Sequence, residues 1–211
     1  MNNRIAIFGG SFDPPHLGHL TAMVWLREAL GYSNIHMVPT HCHNFGKKLE
    51  HFDHRVKMCK LLASKVKGAK VNTIEKELEH PNTTYNLITW YDQKYNRGIW
   101  HNPDNPYKFD LIIGSDLLPE LEQWNQWTML KTKLNKIVVL ERQGYDTQNL
   151  TPKLDGWDRS IVFKYLFDYY KVGISTISSS EVRDNIKKFN KINHLVGKEV
   201  EQYIKERKLY L

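Results

Sequence analysis

From Ile5 to His19 the chain reads Ile-Ala-Ile-Phe-Gly-Gly-Ser-Phe-Asp-Pro-Pro-His-Leu-Gly-His, and no other stretch constrains the fold as much. A short apolar run rich in Ile and Phe reads as a buried strand. It stops at Gly9-Gly10, where the backbone can turn tightly and a ligand can come close. Pro14 and Pro15 stiffen the loop, and His16 and His19 follow on the first turn of a helix. Three residues apart on a helix is one face, so both imidazoles are expected to point at whatever lies over the glycines. That is a place to hold phosphates. The same strand, turn and helix occur in any Rossmann-type protein, and neither Gly-x-Gly-x-x-Gly nor the Gly-Lys-Ser/Thr ending of a P-loop is present. A zinc pair is the other reading of the histidines, but metallopeptidase helices use four-residue spacing and an adjacent Glu.

Apolar runs alternate with helical stretches along the rest of the chain, the pattern of a parallel α/β sheet. Strands are expected over residues 5–8, 35–39, 70–74, 110–113, 136–140 and 172–174. Helices are expected near 20–30, 54–65, 84–95, 127–134, 160–167, 179–189 and 194–207. The fold class expected is α/β, a Rossmann-like open parallel sheet flanked by helices, with a C-terminal helical appendage over about residues 177–211. Residues 96–108 and 143–158 read as irregular loops between sheet elements rather than linkers, so a single domain over residues 1–211 is expected.

Composition narrows the class of function. Net charge is +7, which suits nucleic acid or equally a small polyanion such as ATP. The basic residues are spread out with no run of five or more, which favours the small polyanion over nucleic acid. Met-Asn-Asn-Arg runs directly into the first strand without an apolar targeting segment, and no stretch approaches a membrane span. Cys42 and Cys59 do not make a disulfide framework, so a reducing cytoplasm is the expected compartment. A homo-oligomer stays open.

Ile177-Ser-Ser-Ser-Glu-Val-Arg183 opens a helix near the end of the chain. Ser178 and Glu181 have the spacing of a capping box, which explains them structurally. A serine-lined helix N-terminus is also an anion site, with backbone N–H groups and the dipole facing the ligand. Arg183, one turn along, could add a charge-assisted contact to phosphate. Both readings can hold together.

The string Gly-Gly-Ser-Phe-Asp-Pro-Pro-His-Leu-Gly-His resembles the signature of the nucleotidyltransferase superfamily with a His-x-Gly-His motif. Within it, the closest resemblance is to the nicotinate/nicotinamide mononucleotide adenylyltransferases. The segment from Ile177 to Arg183 is similar to their Ile-Ser-x-Thr-x-Ile-Arg motif, with Ser180 where threonine is usual. Asp110-Leu-Ile-Ile-Gly-Ser-Asp116 looks like their fourth strand and the loop after it, and Val200 to Tyr210 like their last helix. The resemblance implies that ATP is held by Gly9, Gly10, Ser11, Phe12, His16, His19, Gly114, Asp116, Ile177, Ser178, Ser179, Ser180 and Arg183. It implies that the pyridine nucleotide meets Ser11, Phe12, Thr84, Tyr85 and Trp124, the last stacking on the pyridine ring. In one segment the chain departs from the family pattern. Relatives carry Pro-Pro-His and then a basic residue in a loop over the triphosphate, whereas here the chain reads Pro39-Thr-His-Cys-His-Asn-Phe-Gly-Lys-Lys48. Lys47 or Lys48 is expected to do that work. His41, Cys42, His43, His51 and His54 could instead suggest zinc, but their spacing is irregular, so no metal-ligand set is expected. Arg55 reads equally as charge for the site or as a solvated helix residue.

The chemistry implied is attack of a mononucleotide phosphate on the α-phosphorus of ATP. With about −2 on one reactant and about −4 on the other, neutralisation and in-line positioning are the main tasks. His16, His19, Lys47 or Lys48 and Arg183 are the candidate catalytic residues, with histidine protonation offsetting charge on the leaving pyrophosphate. Mg²⁺ is the expected cofactor, bridging ATP phosphates and completed by water. Direct transfer is expected, with no covalent intermediate. Nicotinate mononucleotide is the expected acceptor, with nicotinamide mononucleotide or dual specificity as the rival. A pantetheine-phosphate adenylyltransferase, a nucleotide sensor without turnover and a nucleic-acid-binding module are the further alternatives.

Overall fold

The structure is a computed structural model, described here over residues 3–42, 46, 48–79, 81–98, 102–140 and 177–211, and as backbone over 160–163. β1 (Arg4–Gly10) sits near the middle of a six-stranded sheet, between β2 (Ile35–Pro39) and β4 (Lys108–Gly114). β3 (Ala69–Val71) lies beyond β2, and β5 (Lys136–Leu140) and β6 (Ser160–Phe163) lie beyond β4. Every pairing is parallel, with Ile7 opposite both His36 and Leu111. A parallel sheet covered on both faces needs strands that are apolar on both sides, and the central strands meet that need.

Alternation along β1 divides the core in two. Ala6 and Phe8 face α1 (Leu17–Glu28), α2 (Phe52–Ala63) and the C-terminal helices, while Ile5 and Ile7 face α3 (Thr84–Asn96) and α4 (Trp127–Lys133). The C-terminal helical part consists of α5 (Ser179–Lys187), α6 (Asn193–Val196) and α7 (Lys198–Arg207). Val182, Leu195, Val200 and Ile204 from these helices join the first core cluster, so this part completes one face of the sheet.

Two expectations need correcting. Residues 160–167 do not open as a helix: Ser160–Phe163 is a strand paired with β5 from Ile137↔Ser160 to Leu140↔Phe163. Ile161, Val162 and Phe163 suit a pleated surface, and the open edge of β5 offers backbone groups that pairing satisfies. The third strand also stops short of Ile74. Asn72 Oδ1 accepts the Ile74 N–H at 3.1 Å and turns the chain into a 3₁₀ segment over Ile74–Lys76, which drops Ile74 into the second core. The expected strand at residues 172–174 lies outside the described residues.

One buried titratable group yields a pH dependence. His36, 1% exposed on β2, has Nδ1 2.8 Å from the Tyr91 hydroxyl, which itself accepts from Asn72 Nδ2 at 2.8 Å. The direction of the His36–Tyr91 bond follows the imidazole tautomer, and the ring is neutral. Burial, with Lys70 and Lys94 nearby, lowers its pKa to about 3. The unfolded chain binds this proton near the ordinary value of 6.5 and the folded chain does not, so the contribution is intact above about 6.5 and lost as pH falls toward 3. The expected slope from this group is about 1.4 kcal/mol per pH unit. Urea unfolding between pH 6.5 and 5 should show it in the wild type and not in His36→Asn.

Candidate active site

The carboxyl ends of β1, β4 and β5 open into a cavity of about 1430 Å³, where an open α/β sheet places its ligands. Gly9, Gly10, Ser11, Phe12, His16 and His19 form one wall. Ile177, Ser178, Ser179 and Ser180, at the start of α5, form another. Gly114, Asp116 and Trp124 contribute from β4 and the 3₁₀ segment Ser115–Gln123, and Thr84 from the first turn of α3. The glycine turn, the histidines and the serine-lined helix therefore share one cavity.

The two glycines serve different ends. A Cβ on Gly9 would meet nothing within 4 Å, so the cavity can approach its backbone directly. A Cβ on Gly10 would stand 3.1 Å from the Phe12 ring. Gly10 thus makes room for a protein side chain. Phe12 is buried, has φ +48°, and meets Phe8 and His19 edge-on at centroid distances of 5.5 and 4.9 Å.

His16 and His19 are closer than helical spacing alone requires. His16 is the N-cap of α1, in extended backbone, and its N–H donates to His19 Nδ1 at 3.1 Å. The ring centroids are 3.7 Å apart with 33° between planes. With Nδ1 accepting, Nε2 is the ring nitrogen left to donate, and both histidines line the cavity.

At the opposite wall the capping box is present. Ser178 Oγ accepts the Glu181 N–H at 3.1 Å, and the Ser178 N–H donates to Glu181 at 3.4 Å. Ser179 Oγ donates to Pro14 O at 2.9 Å and so ties α5 to the loop after β1. Arg183 Nη1 donates to Asp13 O at 2.6 Å and Nη2 to Ser180 Oγ at 3.1 Å. Arg183 does not line the cavity; two of its donors already hold the wall together.

Other expected residues fall elsewhere. Tyr85, one helical step from Thr84, turns away from the cavity toward the second core, with Lys133 Nζ 5.7 Å from its ring centroid. Lys48 is exposed and outside the cavity wall, and Lys47 and His43 lie outside the described residues. Arg55 fits neither reading made of it. It is 1% exposed and donates to three carbonyls, Ser11 O at 2.7 Å, Glu50 O at 2.8 Å and His41 O at 3.2 Å. Burial lowers its pKa, while Asp13 and Glu75 favour the charge. Of the residues suggestive of zinc, His41 lies edge-on to Phe52 with Nδ1 3.6 Å from Cys42 Sγ, and His54 Nδ1 stands 2.9 Å from the Tyr203 hydroxyl. Among the described residues no three His, Cys, Asp or Glu are grouped as metal ligands.

Glu75 carries no linear signal but lines the cavity from the 3₁₀ segment after β3. Burial raises its pKa against the pull of the His41 N–H, Asn82 and Arg55. Trp25 and Glu28 of α1 and Leu140 of β5 also line the cavity without being expected there.

Fold and site together define a nucleotidyltransferase of the α/β type. The chain matches the family described as Cytidylyltransferase-like over residues 7–185. The probable nicotinate-nucleotide adenylyltransferase of Anaeromyxobacter dehalogenans (strain 2CP-1) is 32% identical, over 98% of this chain and 96% of its own. The protein of the same name from Bacillus licheniformis is 32% identical over 98% of each chain. A solved Plasmodium falciparum nicotinic acid mononucleotide adenylyltransferase, complexed with NaAD, shares the fold with a TM-score of 0.75 at 23% identity, over 98% of this chain and 97% of that one. The chain belongs to the nicotinate-nucleotide adenylyltransferase family of nucleotidyltransferases. No helix among the described residues is long and apolar enough to cross a membrane.

Proposed function

We propose that the protein transfers AMP from ATP to nicotinate mononucleotide, forming deamido-NAD and releasing pyrophosphate. One observation carries the proposal: the Gly9–His19 turn and the serine-lined start of α5 face one cavity large enough for two nucleotides. An oxygen of the mononucleotide phosphate forms the new bond to the α-phosphorus while the bond to the pyrophosphate oxygen breaks, and no protein nucleophile intervenes. His19 Nε2–H and His16 donate to the triphosphate from one side. The backbone N–H groups of Ser179 and Ser180 and the α5 dipole meet it from the other. Gly9 lets the nucleotide lie against the strand end. Gly114 and Asp116 help hold the ATP nucleotide, and Thr84 and Trp124 line the pyridine end.

Mg²⁺ enters with ATP as part of the substrate, held by phosphate oxygens and water and supplying further charge neutralisation. Asp116 is the cavity carboxylate nearest in sequence to the β4 strand end and fits a water-mediated role toward such an ion. The substrates are small soluble nucleotides, and action in the cytoplasm on a chain working as one unit is part of the proposal.

Pyrophosphate release measured with ATP and each acceptor tests it. The expected result is a kcat/KM with nicotinate mononucleotide at least tenfold above that with nicotinamide mononucleotide, about the 1.4 kcal/mol that separates two well-read ligands. A reversed ratio assigns the nicotinamide substrate. Nucleotide binding without turnover in the presence of Mg²⁺ overturns the enzyme reading.

A further inference from the structure

Asp13 lies where three distant segments cross. The residue is 3% exposed, and Oδ1 accepts both the Glu50 N–H at 3.1 Å and the Tyr210 hydroxyl at 3.0 Å. Arg183 Nη1 donates to its backbone carbonyl at 2.6 Å and stands 3.9 Å from Oδ2. The neighbouring carbonyls are held as well, Ser11 O by Arg55 and Pro14 O by Ser179. The loop that carries the catalytic wall is thus fixed by groups outside it. The partner furthest away in sequence is Tyr210, 197 positions on.

The chain turns back after α7 to bring Tyr210 there. Lys208 and Tyr210 both take left-handed backbone, at φ +52° and +65°, and bracket the buried Leu209. Non-glycine residues adopt this conformation at a cost, so tertiary contacts must outweigh it. Leu209 supplies packing in the first core cluster, and the Tyr210 hydroxyl supplies a directed bond to Asp13. Burial and the adjacent Asp13 carboxylate raise the phenol's pKa, which keeps the hydroxyl a donor.

We propose that Tyr210 is a positioning residue for adenylyl transfer: through Asp13 its hydroxyl holds residues 11–15 so that His16 and the start of α5 face the same triphosphate. In its kinetic part this rests on the proposed reaction. A small displacement of reacting groups costs more in rate than in ground-state binding.

Tyr210→Phe keeps the ring and removes the bond. Its kcat should fall about tenfold with the KM for ATP within about twofold of wild type, and Tm should fall by only several degrees, leaving the chain folded at assay temperature. Amide exchange in residues 9–19 should rise while exchange in α3 stays the same. In an Asp13→Ala background, which lacks the acceptor, the second substitution should cost less than about twofold, since both act through one bond. Tyr203→Phe, which removes the α7 bond to His54, should leave kcat unchanged. Wild-type kcat in Tyr210→Phe, unaltered exchange over residues 9–19, or an equal loss in Tyr203→Phe would each overturn the proposal. Should the wild-type protein turn over neither mononucleotide, the proposed reaction fails, and the exchange measurement still decides whether Tyr210 holds the loop.

Discussion

His19→Ala is expected to lower kcat by about 10²–10³-fold at saturating substrates, the cost of removing one preorganised donor from a charged transition state. The effect falls on kcat more than on the KM for ATP, because charge builds on the leaving pyrophosphate only as the bond to phosphorus breaks. Two further variants separate the donor from the cap. His19→Asn retains an acceptor near the position of Nδ1 for the His16 N–H, and loses the Nε2 donor. It should unfold near the wild-type temperature and yet lose most of the activity. His19→Gln keeps a donor that reaches toward the cavity and loses the cap, so it should retain more activity at lower stability. His16→Ala is expected to fall in the same range as His19→Ala, since the two rings lie side by side on one wall, 3.7 Å between centroids. Pyrophosphate release at saturating ATP and mononucleotide measures all four. An undiminished kcat in either alanine variant removes that histidine from the mechanism.

Arg55→Met is expected to cost about 3–5 kcal/mol of stability. Methionine fills much of the same volume but leaves the carbonyls of Ser11, His41 and Glu50 without their charged donor. Unsatisfied buried acceptors cost about 1–3 kcal/mol each, and partial relaxation of the loops keeps the total below the full sum. For a chain of this size the loss corresponds to a fall in Tm of about 10 °C or more. Arg55→Lys should lie between the two, because a single ammonium cannot reach three carbonyls spread around a planar fork. Chemical denaturation gives the values directly. A loss under about 1 kcal/mol in Arg55→Met would show that the loops after β1 and β2 are held by other contacts.

These two residues differ in how far the sequence exposes them. His16 and His19 are legible because a glycine turn, two prolines and an N-terminal helical turn lie within fifteen consecutive positions. Arg55 is one basic residue in a helix whose pattern allows a solvated face as readily as an inward one. Burying a guanidinium is affordable only where three carbonyls converge, and those belong to residues 11, 41 and 50. The pairing of Ser160–Phe163 is similar: a serine followed by three apolar residues has no decisive periodicity, and the open edge of β5 makes it a strand.

What the sequence determined by itself is what local physics controls: the apolar runs of the parallel strands, the glycine turn, the serine cap of α5 and the amphipathic last helix. Each is set by neighbours within a few positions, where backbone sterics and capping hydrogen bonds act. The tertiary structure alone decided that Gly10 accommodates Phe12 while Gly9 faces open space, that Arg183 grips the Asp13 loop, that Tyr85 turns into the core, and that Tyr210 meets Asp13. Those outcomes depend on which surfaces meet after long loops close, and the loop-closure entropy and burial that govern them leave no periodic mark on the chain.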